Sequence, residues 1–349
     1  MKNGRDPVIV GLADAPIEDG KFVTKASVLG HAALVAKAAV EEAGLTLDDV
    51  DGLLTAGMWG VPGPGQLATV TLGEYLGIMP TYVDGTNIGG SAFEAHVAHA
   101  AMALREGYCE VALIVYSSDQ KSLRSRNLGG RPSVLSMQHE TPYGMPTPVG
   151  GYAMAAQRHM HEYGTTSENL AEIAVATRKW AQLNPAATRR DPLTVDDVLS
   201  STMISEPLHL LDCCLVTDGG GALVLTRADR AKDLPKAPVY VLGHATEHWH
   251  RSIAQLPDLT ITAASESGRR AFEMAGLVPT DIDVAQLYDA FTINTILFLE
   301  DLGYCKKGEG GEFVADGRIA PGGSLPVNTN GGGLSCCHPG MYGIFPVIE

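Results

Sequence analysis

Apolar positions along this chain follow two spacings that alternate from segment to segment. Val8–Gly11 reads as a short strand, and Ser27–Gly44 then carries apolar residues at helical spacing, closed by Gly44 as a C-cap. A second strand is predicted over Asp51–Ala56, a short helix over Gln66–Gly77, a third strand over Thr81–Val83 and an Ala-rich helix over Ser91–Gly107. Val111–Ser117 is continuously apolar between polar flanks, the pattern of a strand buried on both faces. From Asp119 to about Val149 the pattern gives way to Gly, Pro, Ser and Arg, a loop region long enough to imply a functional role. Helical spacing returns over Tyr152–Tyr163 and Glu168–Gln182. Asp218-Gly-Gly-Gly221 then leads into the apolar strand Ala222–Leu225. That glycine run lacks the Lys-Ser/Thr of a P-loop, so it reads as close backbone packing of a buried strand.

The pattern restarts at Val239–Gly243, and the chain then repeats itself. Residues Ala39 to Asp51 align without a gap on Ala271 to Asp283, with seven of 13 positions identical. Both copies end a helix in Ala-Gly-Leu, pass a turn and enter a strand after Asp-x-Asp. This predicts an ancient duplication of an α/β unit. The expected halves are residues 1–118 with 150–230, and 231–349, with 119–149 as an inserted loop region.

Composition narrows the class. Hydrophobic residues make up 45 % and charged residues 19 % of the 349, which excludes disorder for the bulk of the chain. The formal net charge of −15 argues against a nucleic-acid binder. No apolar run reaches the ~20 residues needed to span a bilayer. The polar N-terminus leads into a strand, not a signal segment. Four of the six cysteines form two adjacent pairs, Cys213-Cys214 and Cys336-Cys337, and CxxC is absent. A reducing, cytoplasmic setting is therefore expected. His159-Met-His161, His244, His248-Trp-His250 and Asp212-Cys-Cys214 offer no four-ligand spacing, so no metal is expected.

Three segments carry a family resemblance. Val327-Asn-Thr-Asn-Gly-Gly-Gly-Leu-Ser-Cys-Cys-His-Pro339 resembles the thiolase motif V-N-x-N-G-G-A-x-x-x-G-H-P, in register throughout. Leu287-Tyr-Asp-Ala-Phe291 resembles the thiolase N-E-A-F box, and Val83–Gly107 resembles the strand–turn–helix that carries the thiolase nucleophile. With the duplication, the chain resembles the thiolase superfamily over nearly its whole length. The nearest likeness is to the thiolase-like lipid-transfer branch, which includes side-chain-cleaving steroid-CoA aldolases. The resemblance implies a duplicated α/β fold in αβαβα layers and a homodimer.

The departures from that pattern carry the chemistry. Counting back from the end of the Ser91–Gly107 helix places the thiolase nucleophile at Gly90, and Asn87-Ile-Gly-Gly-Ser91 contains no Cys. Ser91 lacks the trailing Gly of a nucleophile elbow and reads as a helix cap. The Asn of the N-E-A-F box is Tyr288 here. Tyr342 follows His338 by four residues, and a helix starting at Pro339 would put His338 at its N-terminus, a place suited to a negative oxygen. The second catalytic Cys of thiolases follows the His-Pro motif in C-x-G. This sequence runs ten residues past Pro339, so the second half is expected to be short at its end. Cys336 and Cys337 do not match that second position and read as small buried fillers.

Retro-aldol cleavage of a β-hydroxyacyl-CoA survives the loss of a thiol, because no acyl group has to be carried. It needs a base, an oxyanion site and a proton donor. Tyr288, Tyr342 and His338 are the expected catalytic residues. Asn87, Gly89, Gly90, Ser91, Asp289, Asn330 and Gly332 are expected to line the substrate. Lys121, Arg124, Arg126 and Arg131, the dense basic run, are expected to meet the phosphates of coenzyme A, which enters as part of the substrate with no other cofactor. A thiolase or acyltransferase using Ser91 or another thiol, and a non-catalytic lipid- or acyl-CoA-binding subunit, are the alternatives. The resemblance also implies a small zinc-ribbon/OB-fold partner, giving a heterotetramer.

Overall fold

The computed structural model describes residues 4–60, 63–123, 137–145 and 147–349. The first half builds its elements where the spacing placed them. Strand β1 (Pro7–Asp14) is followed by helix α1 (Val28–Glu42), whose N-cap Ser27 accepts the Gly30 N–H at 3.1 Å. Then come β2 (Gly52–Leu54), α2 (Ala68–Leu76), β3 (Tyr82–Asp84), α3 (Ala92–Glu106) and β4 (Val111–Ser118). Helices α4 (Val149–Tyr163) and α5 (Ser167–Leu183) precede β5 (Gly219–Arg227) and β6 (Val239–Tyr240). Later helices are α6 (Ala264–Ala275), α7 (Thr292–Asp301) and α8 (Ile344–Ile348).

The six strands form one mixed sheet in the order β6-β1-β5-β4-β2-β3. β2 runs parallel to both β3 and β4, whereas β5 is antiparallel to β4 and β1. Every residue of β4 is buried, as its unbroken apolar run predicted. Small residues let helices lie close to this sheet. A Cβ on Gly11 would run into the Ala39 carbonyl and sit 2.9 Å from Ala43 Cβ on the α1 side. A Cβ on Gly219 would stand 2.9 Å from Pro339 Cγ, and one on Gly221 2.6 Å from Ile348 Cδ1. Asp218-Gly-Gly-Gly is therefore the close-packing segment that the sequence indicated. Val28, Val35, Ala36, Leu53, Leu113 and Val224 belong to the core on the α1 face.

The repeat is visible in backbone detail. α1 and α6 are each followed by a glycine in the left-handed region, Gly44 at φ 74° and Gly276 at φ 69°. A 3₁₀ turn comes next in both copies. Asp49 accepts the Thr46 N–H and Asp281 accepts the Val278 N–H, each at 2.9 Å.

The sheet content of the two halves differs. Among the described residues the second half contributes β6 to the single large sheet and otherwise two isolated bridges, Ala285 with Val327 (parallel) and Phe291 with Cys213 (antiparallel). The strand expected after Asp283 is reduced to the first of these, with Ala285 N–H donating to Pro326 O at 2.9 Å.

Packing divides the chain into two compact units. One contains the described residues of 1–128, 216–244 and 338–349; the other contains those of 129–215 and 245–337. Residues 150–215 pack in the second unit with 245–337. The cause is apolar burial: Leu170 and Ile173 of α5 share a core with Ile293, Ile296 and Leu299 of α7.

Candidate active site

The first unit holds Asn87, Gly89, Gly90, Ser91, Lys121, His338 and Tyr342. Asn87 shapes the loop before α3: its Nδ2 donates to Ala56 O at 2.8 Å and its Oδ1 accepts the Gly89 N–H at 3.1 Å. Gly89 has φ 89° and open space where a Cβ would stand. Ser91 occupies the N-cap position of α3, yet its hydroxyl makes no capping bond, so the expected cap is not formed. With φ −82° and ψ 8°, it lacks the extended backbone that points an N-cap oxygen at the first turn.

The expected helix at Pro339 is also absent. His338 and Pro339 enter a bend with Gly340 at φ 92°, and α8 starts only at Ile344. His338 is instead held by its backbone. Its N–H donates to Thr217 Oγ1 at 3.0 Å, and its carbonyl accepts the Thr217 N–H at 3.2 Å. Burial drives the imidazole down to about 4, so the ring is neutral at physiological pH. It stacks on the fully buried Tyr342 ring, centroids 5.8 Å apart, and Tyr342 stacks on Phe345. The Tyr116 hydroxyl donates to Pro339 O and accepts the Met341 N–H at 3.2 Å, fixing the turn between His338 and Tyr342. Gly343 N–H donates to Gly90 O at 3.1 Å. The structure thus brings His338, Tyr342 and the Gly90 loop together within one unit.

The second unit holds Tyr288, Asp289, Asn330 and Gly332. Asp289 is fully buried and accepts the Gly333 N–H at 2.6 Å and the Leu334 N–H at 3.4 Å. Burial raises its carboxyl to about 7 even though backbone N–H groups favour the charged form. Asn330 Oδ1 accepts the Gly332 N–H at 2.7 Å, and Asn328 Oδ1 accepts the Leu287 N–H at 2.7 Å. The Asn-Thr-Asn-Gly-Gly-Gly run is therefore cross-linked to the Tyr288–Phe291 box by side-chain bonds to backbone. Gly332, at φ 60°, leaves no room for a Cβ beside Asp289. Tyr288 is half-buried against the core of this unit.

Among the basic residues, Lys121 donates to the Asp19 carbonyl. Arg124, Arg126 and Arg131 lie outside the described residues. Burial pushes the Cys109 and Cys305 thiols up to about 12 and raises the Cys214 thiol as well, which disfavours a thiolate at each. Cys336 and Cys337 are buried. His159 is enclosed between Thr165 Oγ1 at 2.8 Å and the Glu300 carboxylate at 3.0 Å. Among the described residues no three His, Cys, Asp or Glu side chains are grouped to hold a metal ion.

Two features escaped the sequence reading. One is a cavity of about 490 Å³ in the second unit, walled by Tyr152, Ile253, Leu256, Asn294, Leu297 and Phe298. The Tyr152 ring lies 4.5 Å from Phe291, so the cavity wall is continuous with the box that carries Tyr288. The other is Glu94, whose Oε2 is shut off from solvent one turn into α3. Its signal was an acidic residue at the start of an otherwise Ala-rich helix.

A β3-β2-β4-β5-β1 sheet with a His-Pro turn beside a strand–loop–helix is the arrangement of a thiolase-fold protein. The comparisons agree. Residues 245–349 match the family model "Thiolase C-terminal domain-like". A "17-hydroxy-3-oxo-4-pregnene-20-carboxyl-CoA lyase" of Mycobacterium tuberculosis is 35 % identical over 364 residues, covering 99 % of this chain and 90 % of that protein. A "Steroid side-chain-cleaving aldolase" of Thermomonospora curvata is 36 % identical over 331 residues, covering 89 % and 82 %. The solved structure of an "Ltp2-ChsH2(DUF35) aldolase" superposes with a TM-score of 0.88 at 34 % identity, over 99 % of this chain and 88 % of that one. The chain belongs to the thiolase superfamily, in its thiolase-like SCP2-thiolase family.

Proposed function

We propose that this protein is an acyl-CoA retro-aldolase, a carbon–carbon lyase that cleaves a bulky β-hydroxyacyl-CoA of the steroid side-chain type. The observation that carries the reading is the loop Asn87–Ser91, which has no thiol where a thiolase has its nucleophile. The names of the two bacterial relatives support the same chemistry. No acyl-enzyme is needed. A base takes the β-hydroxyl proton, the α–β carbon bond breaks, a ketone or aldehyde departs, and the electron pair forms a thioester enolate that takes a proton at the α-carbon. Tyr288 and Tyr342 are the groups for proton transfer, and neutral His338 is a hydrogen-bond donor for the enolate oxygen. Coenzyme A enters as part of the substrate, with its phosphates at the Lys121–Arg131 run, and no other cofactor is required.

The apolar cavity beside Phe291 supports a bulky acyl group, since its volume lies within the ~300–1,000 Å³ usual for ligand pockets. β3 is an edge strand with Val83 half exposed, which supports pairing with a second copy as a homodimer. A DUF35-type partner, as in the matched aldolase, is part of the reading. No helix among the described residues is long and apolar enough to cross a membrane.

The test is turnover of β-hydroxyacyl-CoA thioesters by the chain co-expressed with its genomic neighbour, with ketone release followed by mass spectrometry. Ketone and shortened acyl-CoA in equal amounts support the reading; no cleavage overturns it. An acyl-transfer reading rests on an acetyl-CoA acetyltransferase of Methanothermobacter thermautotrophicus, 33 % identical over 99 % of this chain. It requires a covalent adduct with acyl-CoA. Light scattering that gives only monomer at micromolar concentration removes the dimer.

A further inference from the structure

We propose that Asn294 is a specificity-determining residue that receives a hydroxyl group carried on the ring portion of the acyl group, so that the protein selects hydroxylated bulky acyl groups over their ketone and hydrocarbon counterparts. This rests on the reading above that the cavity beside Phe291 takes the acyl group.

The cavity of about 490 Å³ lies between two helices of the second unit. α4 gives Gly151, Tyr152 and Ala155 to its wall, and α7 gives Asn294, Leu297 and Phe298. Positions 294, 297 and 298 are three and four residues apart and share one helix face, so the Asn294 amide is turned to the same space as its two apolar neighbours. The rest of α7 is core: Ile293, Ile296 and Leu299 are buried in the apolar cluster of this unit. Asn294 itself is only 6 % exposed, and its Oδ1 is buried with no hydrogen-bond partner. An unpaired acceptor on an apolar helix face is costly for stability alone and calls for a donor from the cavity's occupant.

Other polar groups on the wall are already engaged. Thr262 Oγ1 donates to Asp301 Oδ2 at 2.8 Å, and Ser252 Oγ donates to Glu140. The Asn294 side chain hydrogen-bonds the Tyr152 phenol. Because Oδ1 is unpaired, that bond runs from the amide Nδ2 to the phenol oxygen, which leaves the phenol O–H to donate elsewhere. Burial pushes Tyr152 above the usual phenol range, so it keeps its proton at neutral pH.

An acceptor, Asn294 Oδ1, and a donor, Tyr152 O–H, therefore stand on neighbouring side chains. A hydroxyl donates and accepts, and satisfies both. A ketone oxygen only accepts and leaves Oδ1 unpaired, and a methylene leaves both groups unpaired. A site that hydrogen-bonds a hydroxyl rejects the analogue without it, because its own buried groups then stay unpaired. The remaining wall, with Ile253, Leu256, Leu259, Leu297 and Phe298, suits a hydrocarbon body around that one polar group. The selected hydroxyl is distinct from the one that reacts: the reading above assigns proton transfer to Tyr288 and Tyr342, and neither lines this cavity.

The experiment is calorimetric binding to the full chain co-expressed with its genomic neighbour. The probes are the CoA thioesters of cholanic acid, which has no ring hydroxyl, of its monohydroxy derivatives and of the matching ketones. All have saturated side chains without a β-hydroxyl, so they bind without being cleaved. In wild type at least one monohydroxy thioester should bind about 10-fold or more tightly than both its ketone and the parent. Asn294→Leu keeps the volume and should abolish that preference while binding the parent at least as well as wild type does. Tyr152→Phe should reduce the preference, and it carries the test if circular dichroism shows Asn294→Leu unfolded. Equal affinities across the wild-type panel, as when a water meets Oδ1, overturn the proposal, and so does a full preference in either folded variant. Turnover of a β-hydroxyacyl-CoA by the same preparation separates this inference from the retro-aldol reading. Turnover with a flat panel sinks this inference alone, and a hydroxyl preference without turnover sinks the retro-aldol reading alone.

Discussion

Gly343 donates its backbone N–H to the carbonyl oxygen of Gly90 at 3.1 Å, joining the turn that carries His338 and Tyr342 to the thiol-free loop before α3. The contact depends on glycine, because a side chain at 343 would overlap both the Gly90 carbonyl and the Glu94 carboxylate.

Gly343→Ala should therefore cost about 1–3 kcal/mol, the usual cost of forcing a methyl into a packed site. Urea unfolding gives the number through the midpoint at constant slope. Gly89→Ala, by contrast, adds a Cβ where nothing lies within 4 Å, so its cost comes from φ 89° alone. A Gly343→Ala variant as stable as wild type would mean that the turn separates freely from the loop.

Stability against pH separates the buried acids from the buried histidines. His96 and His338 are both held down to about 4 by burial. Their contribution is complete above the unfolded value of about 6.5 and is lost as pH falls toward 4. Asp289, raised to about 7 by burial, acts in the opposite sense. It is protonated when folded and charged when unfolded, so its contribution falls as pH rises from about 4 to 7. Asp289→Asn removes that opposing slope. The variant should gain on wild type by about 1.4 kcal/mol per pH unit between pH 4.5 and 6.5, and no further above 7. Denaturation at a series of pH values checks it, and parallel curves would show that Asp289 is charged in the folded state.

Which of these features were legible in the sequence follows from how local their causes are. α1, Gly44 and the Asp49 turn could be read because helix spacing, a left-handed glycine and a capping carboxylate act within a few residues, and the same signals repeat at Gly276 and Asp281. The missing helix at Pro339 could not, since Gly340 takes φ 92° in a turn set by Tyr116, more than 200 residues earlier. Ser91 looks like a cap by residue type, yet its backbone is fixed by the loop that Asn87 folds. The reduced strand at Ala285 and the shared core of α5 and α7 depend on long-range packing that no spacing records. Glu94 is one acidic letter in a helix, and its burial appears only in the fold.

Thiol chemistry gives the next prediction. In Cys109, Cys214 and Cys305 burial pushes the thiol upward, so alkylation by iodoacetamide at pH 7 should be slow and should leave turnover intact. Intact-protein mass spectrometry after incubation with acyl-CoA should show no added acyl mass. Loss of activity in proportion to alkylation, or a stoichiometric adduct, would favour the acyltransfer reading.

Removing single hydroxyl groups tests the mechanism most directly. Tyr342 is fully buried between His338 and Phe345, and Tyr288 is half-buried against its own core. Phe in either place keeps the ring and its packing while deleting one donor and acceptor, so chemistry is separated from folding. If the phenol moves a proton in the rate-limiting step, kcat should fall about 10²–10⁴-fold with KM nearly unchanged. His338→Ala should cost about 10²–10³-fold if the neutral imidazole donates to the enolate oxygen. That variant also opens a cavity beside Tyr342, so its melting temperature has to be measured alongside the rate. Both Tyr variants retaining full kcat would move proton transfer to other side chains. A loss confined to KM would make the phenols substrate contacts rather than acids or bases.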